Sequence, residues 1–553
     1  MFPSRPHRPP SRAGRSARQP VRAILALLAA IAATTSLAVV AAPAASAAPK
    51  TIVSFTFDDS NADQLPAAQT LKANGMAGTF YVNSGFVNQP GYFTVANLQS
   101  LVADGHEIGG HSVTHPDLTS LPAAEAQRQV CNDRVNLANW GIQTRSFAYP
   151  FAAATTATEN IVKNCGYQSA RGLGDIQSRF GCTGCPFAET VPVPTASRYY
   201  TKALDQVDNT WTLADLQTAV TNAEANNGGW VQLTFHHIGG SDPLSISQAV
   251  FDQFVAWLKP RAAAQNTVVQ TVGQTVGGAV KPLVNGPAVP PPTAGANGVK
   301  NASLETAGTN GLPQCWMAGG YGTNSPTFTT LTGGAQQGTK SERLVMAGYQ
   351  DGDAKLLPAL DLGGCSPSVT EGKTYSLRAW YTSTAVTQFA VYYRTGIGTW
   401  VYWTSSPWFA AGTTFTQAVW TTPAVPAGAT GISFGLNLFS NGQLVTDSYA
   451  VYDSVGAPAV AGQQSAVVAA PSATARSAGP AVAASPTVPA PPGASIAVQP
   501  RREVRKAIPT GPSAHRARAD RRGPTGPVLT QIPGPTQVKP GTPILLDEGS
   551  LSG

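Results

Sequence analysis

The chain has 553 residues, 42% of them hydrophobic and 12% charged, with a formal charge of +7, which is room for more than one domain. The positive balance sits in two places: six arginines with no acid within residues 1–22, and eight Lys or Arg against Glu503 and Asp520 between Arg501 and Arg522. What remains is mildly acidic, at about −5, so the chain as a whole offers no case for nucleic-acid binding.

The basic N-terminus runs into AILALLAAIAATTSLAVVAA and then Ala45-Ser46-Ala47, a small-x-small cleavage pattern. Residues 1–47 are therefore predicted to be a secretory signal peptide removed on export. The competing reading is an uncleaved anchor, since the run is long enough to span; the cleavage pattern argues against it. No other stretch is apolar enough to cross a membrane, so the mature chain is expected to be secreted, extracellular or cell-wall associated. Six cysteines follow: Cys131, Cys165, Cys182, Cys185, Cys315 and Cys365. An even count in an exported chain points to disulfides. The last two sit alone in the second half and are expected to pair. The first four allow three connectivities, and Cys182-Thr183-Gly184-Cys185, lacking a second CxxC, reads better as a staple than as half a zinc knuckle.

Residues 48–280 alternate strand-like and helix-like runs. TIVSFTF precedes LPAAQTLKANG, AGTFYVNS precedes TVANLQSLVADG, HEIGGHS precedes PAAEAQRQVCNDRVNLANWG, and RSFAYPF precedes ATTATENIVKNCG. WVQLTFHH then precedes SISQAVFDQFVAWLKPRAAA, and VVQTVG closes the series. This is the signature of βα units, hence an α/β domain with a parallel sheet or barrel. Residues 281–299, including VNGPAVPPPTAGANG, read as a Pro/Gly linker. Residues 300–457 change texture to short alternating runs such as TYSLRAWYT, QFAVYYRT, TWVYWTS and GISFGLNLF, which predict an all-β sandwich. Residues 458–553 are Ala/Pro/Ser-rich and then basic, and are predicted to be a disordered tail.

Four chemistry-bearing clusters fall at predicted strand ends: Asp58-Asp59 after TIVSFTF, His111 and His115 after HEIGG, Tyr149-Pro150-Phe151 after RSFA, and His236-His237 after WVQLTF. In a βα barrel those ends form one face, where catalytic groups gather. HEIGGH is not the zinc-protease signature, which places its histidines at i and i+4 of a helix. His106 and His111 are five apart, and Gly109-Gly110 makes a poor helix. The i, i+4 pair is His111 and His115; His106 and Glu107 are read as structural. Asp plus two neutral His suits zinc or a similar divalent metal and leaves a position open for water and substrate. Of the two adjacent aspartates, one can bind the metal and the other accept a proton from water, while a histidine opposite protonates a leaving group. Asp58 and Asp59 could instead cap the following helix.

Together FTFDD, HSVTH, FAYPF and LTFHH resemble the polysaccharide deacetylase (NodB-homology) family, over roughly residues 50–275. The resemblance implies a distorted (β/α) barrel and metal-dependent release of acetate from acetylated sugars. By position it makes Asp58 the general base, Asp59, His111 and His115 the metal ligands, and His236 the general acid. Tyr149 and Phe151 fall at the substrate, the backbone N–H near Phe151 serving the oxyanion. Three departures stand out. Many members carry an arginine that orients the base where this chain has Ala148, and Arg145 lies three residues earlier. Thr234 stands where the last motif has Leu, and His237 competes with His236 for the acid role. A pair that would tune the acid is sought in Asp205 and Asp208.

The second domain, from NASLE to TDSYAVYD, looks like the jelly-roll carbohydrate-binding modules of secreted polysaccharide enzymes. That resemblance implies a structural calcium at Glu305 and Asp447. Trp400, Tyr402, Trp403 and Trp408 are candidates for stacking on pyranose rings, with Trp400 and Trp403 foremost; core filling competes, because alternating strands bury about half their aromatics. The expected protein is a secreted, zinc-dependent carbohydrate deacetylase acting on N-acetyl or O-acetyl groups of a chitin-like polymer, peptidoglycan, an exopolysaccharide or xylan. A catalytically impaired glycan- or wall-binding protein and a hydrolase of non-sugar amides are the alternatives.

Overall fold

The computed structural model describes residues 50–471. The predicted signal peptide and residues 472–553 of the predicted tail lie outside the described residues. The N-terminal domain alternates β1 (Thr51–Phe57), α1 (Leu65–Ala73), β2 (Thr79–Val82), α2 (Val95–Ala103), β3 (Glu107–Gly110), α3 (Ala123–Asn139), β4 (Ser146–Ala148), α4 (Thr156–Asn164), β5 (Ser169–Arg171), α5 (Leu213–Ala225), β6 (Gly229–Phe235), α6 (Gln248–Leu258) and β7 (Thr267–Val269). All the strand pairings are parallel, in the order β5-β4-β3-β2-β1-β6, with β7 on the first half of β1. The gap between β5 and β6 is bridged by an irregular segment, through the pairs Arg171–Thr201 and Gln206–Thr234. This is the expected βα architecture, a parallel sheet curled into an incomplete barrel.

Side-chain alternation gives the sheet two interiors. Val53, Phe55 and Phe57 of β1 and Val231, Leu233 and Phe235 of β6 enter the main core beneath the helices, with Leu71, Phe251 and Phe254. The intervening residues point the other way, into the barrel. There the Ser54 hydroxyl donates to the Gln270 carbonyl at 2.6 Å and accepts the Trp230 indole N–H at 2.8 Å. The barrel side thus combines buried polar groups with an apolar cluster that includes Ile52, Tyr81, Trp230 and Val272, while the helix side is apolar.

The second domain is two antiparallel sheets. One has the order β8-β11-β16-β13-β14 and the other β9-β10-β17-β12-β15. The strands are β8 (Trp316–Tyr321), β9 (Ser325–Thr332), β10 (Lys340–Ala347), β11 (Asp353–Pro358), β12 (Tyr375–Ser383), β13 (Phe389–Thr395), β14 (Trp400–Ser405), β15 (Gly412–Thr421), β16 (Ala429–Leu438) and β17 (Gly442–Asp453). Leu377, Tyr381, Val391, Phe434 and Tyr449 form the core between them, consistent with a β-sandwich. Disulfides join Cys131 to Cys165, Cys182 to Cys185 and Cys315 to Cys365. No helix among the described residues is long and apolar enough to cross a membrane.

Two boundaries differ from expectation. The Pro/Gly linker is strapped along α3: Arg134 donates to the Lys281 and Pro282 carbonyls at 2.6 and 2.9 Å, and Gly286 N–H reaches Asn132 at 2.9 Å. The sandwich does not stop at residue 457. Pro458 accepts from Arg378 at 2.6 Å, Gln463 and Ser465 bond the Gln417 backbone, and Val467-Val468 pairs with Trp408-Phe409. Composition hid this, because backbone pairing needs no apolar run. A chain ended after Ala457 should therefore melt at least about 5 °C below one ended after Pro471 in a thermal scan, since losing even 2 kcal/mol has that effect in a domain of this size.

Candidate active site

The period of two along a strand decides which motif residues meet. Counting from Ser54 and Thr56, Asp58 falls on the barrel side; counting from Trp230 and Gln232, so do Thr234 and His236. Asp58 is 2% and His236 2% exposed. His237 faces away, and its Nδ1 meets the exposed Asp63 at 2.7 Å. The two histidines are thus separated by position: His236 is buried on the barrel side, where its charge acts on both Asp59 and His115, while His237 is turned to Asp63. The two strand ends are tied together by Asn61 and Gln64, whose amides donate to the His236 carbonyl at 2.9 and 2.7 Å. Neither aspartate caps the helical turn that follows.

The glycines of HEIGGH make room rather than a helix. A Cβ on Gly109 would lie 2.4 Å from the Tyr81 ring, and one on Gly110 would lie 2.6 Å from an Asp133 carboxylate oxygen. Asp133, fully buried on α3, accepts the Ser84 and His111 N–H groups at 2.9 and 3.1 Å; burial pushes its carboxyl up to about 7 despite those bonds. His106 accepts the Gly78 N–H at 3.0 Å, and Glu107 accepts from Ser146 at 2.8 Å and Gly273 at 2.6 Å, so both are structural.

Asp59, His111 and His115 converge. Nε2 of His111 and Nε2 of His115 are 3.1 Å apart, and Asp59 Oδ1 lies 3.4 and 3.3 Å from them. A tetrahedral ion with ligand bonds of about 2.0–2.1 Å has ligand–ligand edges of about 3.3–3.4 Å, so this triangle fits one face of a zinc-type site. The His111 Nδ1 lies 2.8 Å from the Ala148 carbonyl; a carbonyl only accepts, so Nδ1 carries the proton and Nε2 presents its lone pair inward. Burial pushes His115 down to about 4, with Asp59 only partly compensating. Burial also opposes the Asp59 charge, but His115, His111 and His236 outweigh it and hold the carboxyl well below the ordinary range. His111 is shifted up by Asp59 and Asp58 against its burial. Asp59, Ser112, His115 and Phe151 all have positive φ, at 72°, 70°, 58° and 57°. Such non-glycine strain persists only where the surroundings impose it, and it clusters at functional sites. This is the only such ligand cluster among the described residues.

Arg171 is the residue that sequence reasoning missed. It is 1% exposed, ion-pairs with Asp58, donates to the Thr234 hydroxyl and lies 5.2 Å from the centre of the Tyr81 ring. It is the register partner of Ala148 on the neighbouring strand. The departures at 148 and 234 thereby explain each other. The cation comes from β5 instead of β4, and Thr234, which also meets Thr56 Oγ1 at 3.1 Å, accepts its second N–H where a leucine could not. Arg145 is elsewhere, donating to the Gly278 carbonyl.

Other candidates are placed differently from expectation. The Tyr149 side chain is 2% exposed and its hydroxyl donates to the Tyr199 carbonyl at 2.7 Å, so it offers no ring to a substrate. Phe151 packs its ring edge-on against the His115 ring at 4.6 Å, which brings its side chain to the ligand triangle. Asp208 accepts from Thr210 N–H and hydroxyl at 2.9 and 2.5 Å and so shapes the turn before α5. Trp400 is 3% exposed with its indole N–H on the Asp361 carbonyl. Trp403, three residues on, faces the sandwich core. Trp400 packs in a separate cluster with Tyr392 and Leu357, so the two rings lie on opposite faces and form no common stacking platform. Glu305 accepts the Thr339 and Lys340 N–H groups, and Asp447 those of Gln336, Gln337 and Ser448. Both carboxylates thus hold backbone N–H groups of the segment between Gln336 and Lys340.

Residues 45–170 match the polysaccharide deacetylase family model. A chitin deacetylase from Colletotrichum lindemuthianum is 32% identical over 81 residues, 14% of this chain and 33% of that protein, so the chain spans about a third of the curated relative. Among solved structures, a family 4 carbohydrate esterase from Streptomyces lividans in complex with acetate is 17% identical, with a TM-score of 0.29 over 42% of this chain and 100% of that one. The peptidoglycan deacetylase of Bacillus subtilis is 18% identical, with a TM-score of 0.27 over 41% of this chain and 90% of that one.

The Arg171–Asp58 pair gives a direct stability test. Arg171→Met leaves a buried carboxylate unpaired and should cost about 3–5 kcal/mol in chemical denaturation. The double variant Asp58→Asn/Arg171→Met, which removes both charges, should recover part of that loss.

Proposed function

We propose that this chain is a secreted, metal-dependent deacetylase that removes acetyl groups from a polysaccharide. The observation that carries the reading is the Asp59–His111–His115 triangle beside a second, arginine-held carboxylate, within a region that matches the polysaccharide deacetylase model. Asp59, His111 and His115 hold the metal, with zinc the first choice for a one-carboxylate, two-imidazole set. A bound divalent ion would polarise the acetyl carbonyl and acidify the attacking water.

Asp58 is the general base. Its carboxylate is kept in place by Arg171 and takes the proton from water as oxygen adds to the carbonyl carbon. The backbone N–H near Phe151, whose ring packs on His115, is read as the group that meets the developing oxyanion charge. His236 then gives a proton to the leaving nitrogen or oxygen, the C–N or C–O bond breaks, and acetate and the free amine or hydroxyl depart. N-acetylglucosamine polymers are the first substrate class, supported by the chitin deacetylase likeness; O-acetylated xylan is the second. The sandwich is read as a glycan-binding module, without the Trp400/Trp403 platform.

Acetate release from a panel of acetylated glycans tests this. Release should stop with chelator and return with added zinc. Asp58→Asn should keep zinc and lose about 100-fold or more in turnover, while His111→Ala should lose zinc and turnover together. Full activity in Asp58→Asn contradicts the base assignment. Zinc binding without acetate release from any polymer favours a glycan-binding protein that has lost catalysis.

A further inference from the structure

The loop that carries His111 and His115 is held from behind by the β-sandwich. Val113, midway between the two histidines, is fully buried. Against it sits Gly398, in the turn between β13 and β14, with φ 95°; a Cβ there would fall 2.7 Å from Val113 Cγ1. The Val113 carbonyl accepts the Gly85 N–H at 2.9 Å. The Gly85 carbonyl in turn accepts the buried Thr399 hydroxyl at 2.8 Å. One residue back, the Ile397 carbonyl accepts from Asn136 at 2.9 Å, and the same amide donates to Ser84 Oγ at 3.0 Å. Ser84 and His111 are the two backbone donors on Asp133. Three consecutive sandwich residues thus reach the metal loop: Gly398 directly, Thr399 through Gly85, and Ile397 through Asn136, Ser84 and Asp133. A second clamp lies nearby: Glu125 of α3, 2% exposed, accepts the Leu362 and Gly364 N–H groups at 2.8 and 3.0 Å.

These contacts bear on the ligands because the loop is not relaxed. Ser112 and His115 hold positive φ, a conformation that their surroundings must impose. Ligand placement must also be good to about 0.5 Å for a metal site to work. We propose that the Thr395–Thr399 turn is a positioning element of the metal centre, which makes the sandwich a structural part of the site rather than a module on a free tether. The inference rests on the metal-centre reading given above.

The test uses the full chain and zinc alone, with affinity read by competition against a chromophoric chelator. Thr399→Val keeps shape but leaves the buried Gly85 carbonyl unpaired, and should weaken zinc binding about three- to tenfold. Thr399→Ser, which keeps the hydroxyl, should restore it. Tyr381→Phe is the control. It removes a hydroxyl that bonds Ala410 and Ser465 in the other sheet, and should leave zinc affinity within about twofold. If Thr399→Val fails to fold, Asn136→Ala reads the same network and should weaken zinc similarly. Unchanged zinc affinity in the folded variants, or an equal loss in Tyr381→Phe, overturns the inference while leaving the metal centre intact. A wild-type chain that binds no zinc overturns the metal-centre reading, and the inference with it.

Discussion

A carboxylate that is almost wholly buried must be paired, and Asp58 is paired with Arg171 across the barrel interior. Much of the site follows from that constraint. The guanidinium has several donors to place in a space closed to water, and the Thr234 hydroxyl takes one of them. The Tyr81 ring lies on another side of it, and Gly109 leaves that ring its space. With Asp58 fixed, the next residue is free to turn. Asp59 enters the left-handed region and turns its carboxylate to the two histidines. Adjacent residues thus acquire different chemistry from different surroundings, one held by a cation and the other by imidazoles.

The sheet supplies the other half of the arrangement. Every contributing strand is parallel, so all the C-terminal ends lie at one mouth, and alternation selects the residue at each end that faces inward. Asp58, His111 and His236 pass that filter, and His237 does not. The apolar side of the same strands packs on the helices and anchors the mouth. The loop between His111 and His115 has no strand of its own. It depends on Asp133, Gln129 and Asn83, and, through the Gly85–Val113 contact, on the β-sandwich.

The βα alternation and the clusters at strand ends were legible because both rest on local periodicity. HSVTH could be separated from HEIGGH by spacing and by the helix-breaking glycines alone. Arg171 was not legible: β5 is three residues long, with no apolar run to mark it, and its partner in the ion pair lies 113 positions away. The strap after residue 457 and the docked linker share that difficulty, since both are held by backbone groups and isolated polar contacts rather than by a side-chain pattern. Trp400 and Trp403 fall in separate clusters, and the register shift opposite Trp403 is a feature that side-chain alternation in the sequence does not show.

Asp59, His111 and His115 are the ligands on which the proposed metal centre depends. X-ray absorption on the zinc-loaded full chain addresses them directly, since it reports donor type and distance without relying on turnover. The account predicts two imidazole nitrogens and oxygen donors at about 2.0–2.2 Å, with the imidazole signature reduced in His115→Ala. A first shell of oxygen alone, sulfur scattering near 2.3 Å, or a spectrum indifferent to His115→Ala would contradict it.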